Sequence, residues 1–446
     1  MHIGEKLMIQ PNMDKSLFRY LAILCLFISF FISVPSMPAK ASSNVIHVPS
    51  DYEKVQWAIN NASAGDSILV TSGVYYEHIT IDKPLTLRGE SGTSIIDGNY
   101  TGAVVTITAD HVNISGFTIR NSGSDFWESG IYIYNSFGNN ISYNLLVNNG
   151  HGIWLDCSNS NILAYNNVSN NQCGIGLSNS NGSIIVGNNV FSSEECGIGL
   201  DYSCNNLIVG NTISSNDYGI WISCIGNNTI FHNNIINNTK QAEPFGLANT
   251  WDNGFEGNYW SDYNGTDVAP QDGIVDTSYI IDINNTDNYP LIGMFSDFKV
   301  IWEEKTYHVT TICNSTISAF QFNQDERILS FNVTGPDSTV GFCRITIPKA
   351  LINETYTVLV DGEEVDVTVL PISNSSHAFL YFTYIHGTHE VVIIPEFPLT
   401  LILVLVMITT FIATITMKKK TSKTFQRRRP ENNTKIVNMR NYNFSW

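Results

Sequence analysis

The sequence predicts an all-β chain: a right-handed parallel β-helix of about 22-residue coils, then a β-sandwich domain and one C-terminal transmembrane helix. Three observations predict it. A glycine-led motif returns at a nearly fixed period, short apolar pairs alternate inside each period, and the period vanishes near residue 297. The motif occurs at Gly130-Ile131, Gly152-Ile153, Gly174-Ile175, Gly197-Ile198 and Gly219-Ile220, in steps of 22, 22, 23 and 22 residues. So strict a period marks a solenoid, in which one unit stacks on copies of itself.

Each period holds three short strands. Ile153 and Leu155, or Ile175 and Leu177, sit two apart and so share one face of a strand. A second apolar pair follows, such as Ile162-Leu163, and then a third, such as Leu145-Leu146 or Ile235-Ile236. Asn, Ser and Gly separate them, which leaves no room for a helical repeat. Fourteen residues after each glycine stands an asparagine: Asn144, Asn166, Asn188, Asn211 and Asn233. A second set, nine residues after, is Asn139, Asn161, Ser183, Asn206 and Asn228. Stacked coils lie about 4.8 Å apart, and asparagine tolerates left-handed turns and can bond its neighbour's amide. These asparagines therefore read as structural ladders rather than ligands.

Upstream, Tyr52 to Asn61 suits a short capping helix, followed by strands at Ser67–Thr71, His78–Ile81 and Leu85–Arg88. A cap is needed because an open solenoid end exposes core and unpaired strand edges. Downstream, seven segments alternate without the period: Tyr307–Ile312, Ile328–Val333, Arg344–Ile347, Tyr356–Val360, Val365–Leu370, Ala378–Tyr384 and Glu390–Ile394. Asp361-Gly362 marks a hairpin between two of them, and the set reads as a sandwich.

The ends of the chain point outside the cell. Lys15 and Arg19 precede an apolar run and Ala39-Lys40-Ala41 offers a cleavage site, so residues 1–41 read as a signal peptide, with an uncleaved anchor as the alternative. Leu399 to Met417 is uncharged and mostly apolar, long enough to span a bilayer. The basic tail after it belongs in the cytoplasm by the positive-inside rule. The expected domains are thus signal 1–41, β-helix with its cap 42–296, sandwich 297–394, anchor 395–417 and tail 418–446.

Between residues 42 and 394 ten Lys and Arg face 36 Asp and Glu, a net of −26, whereas residues 418–446 carry a net of +8. So acidic a body repels nucleic acid. Fourteen Asn-x-Ser/Thr sequons lie in the same region, among them Asn113, Asn167, Asn227 and Asn314, and several are plausible glycan acceptors on a secreted protein. Cys173 and Cys196 each precede a motif glycine on adjacent coils, within disulfide reach. Cys157 and Cys224 share another offset but lie three coils apart. Cys313 and Cys343 are the other expected disulfide.

Alternation predicts which motif-strand side chains face solvent: those two and four after each glycine. They include Tyr132, Tyr134, Trp154, Asp156, Gly176, Gly199, Asp201 and Trp221. Trp154 and Trp221 would stand about 14 Å apart along the axis, bounding a shallow floor at Gly176 and Gly199. Such rings suit the apolar faces of sugars, with Asp156 and Asp201 as hydroxyl acceptors. Tyr132, Trp154, Asp156, Asp201 and Trp221 are therefore the candidate ligand-binding set; strand propensity and packing alone offer the other explanation. Asp156 and Asp201 would also stand about 9.6 Å apart, at the edge of the range for an inverting glycosidase, which makes them the candidate catalytic pair. A lyase would want a basic residue, and residues 121–239 contain no Lys or Arg.

The opening "IHVPSDYEKVQWAINNASAGDSILVTSGVYYEHITIDKPLTLRG", the Gly-Ile coils and the closing "GNYWSDYNGTD" with "DGIVDTSYIIDINNTDNYPLIG" resemble the NosD-like β-helix proteins. That group shares the carbohydrate-binding and sugar-hydrolase type of repeat and is abundant on archaeal cell surfaces. The resemblance covers about residues 45–295. The distal region from "VTGPDSTVGFCRITIPKALI" to "GTHEVVII" is similar to a module that often follows it, and "IPEFP" looks like an archaeal surface-sorting signal. The family name implies copper-site maturation, yet the sequence has no Met-rich segment, no His-x-His and no Cys/His cluster of the kind copper favours. Asp262, Asp267, Asp272 and Asp276 resemble the family's Asp-rich closing loop. That loop reads first as a polar loop and second as a calcium site through Asp267, Asp272 and Asp276; no other cofactor is expected. The reading is a membrane-anchored surface protein, without catalysis, that binds extracellular polysaccharide or surface-layer components. A polysaccharide hydrolase is the alternative and copper-site maturation the next.

Overall fold

A computed structural model describes residues 44–395 except 126, 224, 225 and 354. The expected signal, anchor and tail, and Cys224, lie outside the described residues. Among those described, no helix is long and apolar enough to cross a membrane.

The described chain is all-β apart from one helix, Val55–Asn61, and forms two compact units. The first holds residues up to Tyr263 together with Tyr279–Asn288. It is a parallel β-solenoid of three sheets with nine, eight and nine strands. The motif strands build the eight-stranded sheet, here the first sheet: it includes Ser129–Tyr134, His151–Asp156, Cys173–Ser178, Cys196–Asp201 and Tyr218–Ser223 and ends at Lys240–Phe245. The second sheet runs through strands such as Asn140–Ser142 and Ile184–Val186, and the third through Leu145–Val147 and Asn189–Phe191.

Register follows the period. Ile131, Ile153, Ile175, Ile198 and Ile220 pair in succession and every one is fully buried. Identical branched side chains thus stack into one apolar column. The motif glycine has a separate reason. Pairing joins His151 to Cys173 and Ile153 to Ile175, passing over Gly152 and Gly174. A Cβ on Gly152 would lie 2.5 Å from Val168 Cγ1, and one on Gly174 would lie 2.3 Å from Val190 Cγ1. The glycine turns inward at a crowded corner, so the residue before it shares the outer face with the residue two after it.

Three polar ladders line the three corners. Asn144 donates to Asn166 (3.1 Å), Asn166 to Asn188 (3.0 Å), Asn188 to Asn211 (3.0 Å) and Asn211 to Asn233 (2.9 Å), side chain to side chain. The second runs Asn139, Asn161, Ser183, Asn206, Asn228. A third, which the sequence reading missed, includes Asn149 with Asn171 and Asn216 with Asn238. Its offset of nineteen residues was equally periodic. These buried amides satisfy backbone groups that the turns leave unpaired.

The closing segment terminates two of the ladders. Asn258 Oδ1 accepts the amide N–H of Asn233, and Asp287 then accepts the backbone N–H of Asn258 at 2.8 Å and the indole N–H of Trp260 at 2.9 Å. Asn285 does the same for Asn249 (2.9 Å) and Trp251 (3.0 Å). Trp251 and Trp260 are buried, closing the core.

The second unit holds residues 264–278 and the chain from Tyr289. The division of the described chain thus differs from the expected one at 296/297. Residues 264–278 bond to the second unit, through Val275 to Pro290 and the Ile274–Leu291 bridge, while Tyr279–Asn288 stays with the ladders it closes. Two five-stranded antiparallel sheets face one apolar core, with Val309, Ile345 and Phe382 from one and Leu329, Phe331 and Ile393 from the other. Tyr356–Val360 falls where expected, and Asp361 and Gly362 both take positive φ (51° and 82°) in the hairpin. Met294–Trp302 and Thr316–Asn323 are strands beyond the seven expected segments. The expected Cys313–Cys343 disulfide is also corrected. The two face each other across paired strands as buried thiols. Cys313 Sγ also takes contacts from Tyr384 Oη (3.5 Å) and the Ser315 N–H (3.3 Å). The hydrogen bond from Cys343 brings the Cys313 thiol down to about 7, while burial pushes Cys343 well up.

Candidate functional site

The outer face of the first sheet gathers the candidate residues in register. Tyr132 pairs with Trp154, Trp154 with Gly176, Gly176 with Gly199, and Gly199 with Trp221. Tyr134, Asp156, Ser178, Asp201 and Ser223 form the parallel row. The structure thus brings all five expected ligand-binding residues onto one surface.

It does not leave the expected floor open. Trp154 is only 8 % exposed, which corrects its reading as a solvent-facing platform. Its indole stacks on His151 with ring centroids 4.5 Å apart. It also fills the space above Gly176, where a Cβ would lie 2.2 Å from Trp154 Cε3. Gly199 is covered too. Cys173 and Cys196 form a disulfide, and a Cβ on Gly199 would lie 3.0 Å from Cys196 Sγ. Strict alternation alone would make Gly176 and Gly199 an open floor for a ligand. The reason for the difference is the inward-turned motif glycine, which places His151, Cys173 and Cys196 on the outer face and lets them pack there.

What stays open lies at the two ends of the row. At one end Tyr134 is 48 % exposed and stacks with Tyr132, ring centroids 6.0 Å apart. The Tyr132 hydroxyl donates to the Asp156 carboxylate at 3.2 Å. Burial, then the Asp156 charge, pushes the Tyr132 phenol up to about 12. It stays protonated at ordinary pH and serves as a donor rather than a base. At the other end Trp221 and Asp201 are half-buried beside exposed Tyr202. Past them Lys240 pairs with Glu243 at 2.7 Å and lies over the Tyr218 ring.

A second aromatic row was not foreseen. Tyr143 and Tyr165, at the turn between the second and third sheets, stack at 5.1 Å and both are exposed. The next coils place Gly187 and Gly210 there, all four with positive φ, and a Cβ on Gly187 would lie 2.6 Å from Tyr165 Cε1. The same offset then carries His232, whose Nε2 meets Glu256 at 2.6 Å. Thirteen residues after each motif glycine was the signal that would have found it.

Asp267, Asp272 and Asp276 of the Asp-rich loop belong to the second unit, whereas Asp262 belongs to the first. Asp267 accepts the N–H groups of Gly273 (2.7 Å) and Asp272 (3.2 Å), and Asp276 accepts that of Val268 (2.7 Å). Burial pushes the Asp267 carboxyl up against those bonds. These carboxylates organise their own loop. Among the described residues no group of three or more His, Cys, Asp or Glu side chains is placed to hold a metal ion.

Residues 59–265 match the family described as periplasmic copper-binding protein (NosD). Among the described residues no His, Cys, Asp and Glu side chains gather into a group that could hold copper. A cell surface glycoprotein of Methanothermus fervidus is 30 % identical over 128 residues, covering 28 % of this chain and 21 % of that protein. A probable ABC transporter binding protein NosD of Pseudomonas aeruginosa is 33 % identical over 92 residues, covering 20 % and 21 %. The chain thus spans about a fifth of the length of these curated relatives. Among solved structures, pectate lyase Pel9A superposes with a TM-score of 0.40 at 13 % identity, covering 52 % of this chain and 74 % of that one. The A-module of an Azotobacter vinelandii mannuronan C-5 epimerase gives 0.25 at 16 %, covering 42 % and 63 %. Neither bears on function. Over residues 59–265 this chain is similar to the NosD family, and its fold there is a parallel β-solenoid.

Proposed function

We infer that this is a non-catalytic cell-surface protein, anchored in the membrane by residues 395–417, whose first sheet binds extracellular polysaccharide. One observation carries the reading: exposed or half-exposed aromatic rings and carboxylates stand in register along that sheet, Tyr132, Tyr134 and Asp156 at one end and Trp221 and Asp201 at the other. Ring faces pack against the C–H faces of sugars and carboxylates accept their hydroxyls. The face has no Lys or Arg before Lys240, which favours a neutral or basic polysaccharide over an acidic one. The similarity to a protein named cell surface glycoprotein supports the location.

The test is affinity electrophoresis of the purified chain against a polysaccharide panel, alone and as Tyr134→Ala and Trp221→Ala. Retention that falls at least tenfold in both variants, with unfolding unchanged, is the expected result. Retention of wild type and variants alike would remove the first sheet as the site. Trp154→Ala serves as the contrast, because its packed indole predicts lost stability.

A further inference from the structure

The fourteen sequons are not equal once the chain is folded, and their distribution bears on the first sheet. None of its strands contains an asparagine, from Ile79–Ile81 through Lys240–Phe245. Solenoid sequons fall on the other two sheets, on the turns and loops and, at Asn61, on the end of the helix Val55–Asn61. Asn113 starts the second-sheet strand Asn113–Ser115, and Asn167 starts the third-sheet strand Asn167–Ser169. Asn99 and Asn237 follow the third-sheet strands Ser94–Asp97 and Asn234–Ile236.

Burial and hydrogen bonding sort them further. Asn99, Asn113, Asn167 and Asn237 are exposed. Asn140 lies directly beside Asn113 in register but is half-buried, and its Oδ1 is sealed from solvent without a partner. Asn181 is half-buried and its Oδ1 accepts the N–H of Cys204 at 2.8 Å. Asn61, Asn227 and Asn284 are exposed but spend their amide N–H groups, on Trp57 O, on Asn205 Oδ1 and on Gly246 O. The ladder asparagines Asn144, Asn166, Asn188, Asn211 and Asn233 are buried and none of them heads a sequon.

We propose that Asn99, Asn113, Asn167 and Asn237 are the N-glycan attachment sites of the solenoid, and that their placement leaves the aromatic face of the first sheet bare. The donor is an oligosaccharide carried on a polyprenyl phosphate or diphosphate. The amide Nδ2 attacks its C1 and the C1–O bond to phosphate breaks. The phosphate leaves as the anion and the amide proton passes to solvent. Adjacent coils stand about 4.8 Å apart, less than the width of a glycan. Asn113 and Asn140 therefore cannot both carry one, and exposure selects Asn113. Glycans on two faces hydrate them and block association there, so the third is the face free for contact. The proposal rests on the surface reading above but not on the identity of the bound polysaccharide.

The experiment is intact-glycopeptide mass spectrometry of the full chain expressed in a host that modifies Asn-x-Ser/Thr, whose own surface glycoproteins verify that the machinery is working. The expected result is occupancy above half at Asn99, Asn113, Asn167 and Asn237 and below a tenth at Asn140 and Asn181. Ser115→Ala should remove one glycan, at Asn113, without transferring it to Asn140. Occupancy of Asn140 equal to that of Asn113, or four bare sites in a host that modifies its own proteins, would overturn the proposal. Polysaccharide binding by chain from a host without that machinery is independent of this result, so either idea can fail alone.

Discussion

The two units solve one problem, burying β-strands, by opposite means. In the solenoid each coil repeats the last, so identical isoleucines stack in columns and the corners are held by side-chain amides bonded in series. In the antiparallel unit no position repeats, and two sheets close over a mixed core in which Phe331, Phe382 and Leu329 meet. The solenoid is thus linear in its energetics, with each coil depending on its neighbours, while the antiparallel core depends on contacts distant in sequence. A damaged coil should be felt along the stack, and a damaged core residue throughout its own unit.

The largest effect that separates the two belongs to the middle of a ladder. Asn188 takes the N–H and amide of Asn166 and donates to Leu163 O and Asn211. Asn188→Ala should cost on the order of 4 kcal/mol, since two or more buried polar groups lose partners at about 1–3 kcal/mol each. Denaturant unfolding followed by calorimetry should show the solenoid transition moving and that of the antiparallel unit staying. Joint movement would mean the units unfold as one. Next comes the Cys173–Cys196 bond, whose ends are 23 residues apart. Reduction should cost about 3 kcal/mol on the chain-entropy account, again in the solenoid transition alone.

Gly176→Ala sharpens the comparison on the outer face. Its Cβ would occupy the place of the Trp154 ring, and overpacking of this kind costs about 1–3 kcal/mol. The released indole should shift its fluorescence to longer wavelength; an unshifted spectrum would show that the ring does not depend on the glycine.

The smallest effect lies in the antiparallel unit. His389 Nδ1 meets Asp361 at 2.7 Å, which raises the imidazole and lowers the carboxyl. The histidine's share of stability is present below its unfolded value of about 6.5 and is lost as pH rises through its raised folded value. The aspartate's share is present above about 3.9 and is lost as pH falls through its lowered folded value. The pair therefore contributes most between about pH 4 and 6.5, and the exposed site keeps the effect small. Proton NMR titration of His389 should give a lower midpoint in Asp361→Asn; an unchanged midpoint would remove the pair as the cause.

The contrast also explains what could be read in advance. The β-helix was legible because a period of 22 exposes itself: Ile153, Ile175 and Ile198 recur on the same beat as Asn166, Asn188 and Asn211. The antiparallel unit was only partly legible. Met294–Trp302 carries no clean alternation, and Thr316–Asn323 crosses a register shift between Ser318 and Gln321. The candidate face was legible as a row but not in its depth. Strict alternation had no place for the inward turn of Gly152 and Gly174, which brings His151, Cys173 and Cys196 outward to cover the glycines.

The sequence by itself determined the coil length, the core columns and two of the three ladders, because stacking repeats spacing without needing any distant contact. Only the tertiary structure decided that Trp154 lies flat on Gly176, that Asn285 and Asp287 end the ladders, and that Asn113 is open where Asn140 is not. Those outcomes depend on atoms that the chain brings together across coils and loops, and no one-dimensional pattern encodes which of two neighbouring side chains will be covered.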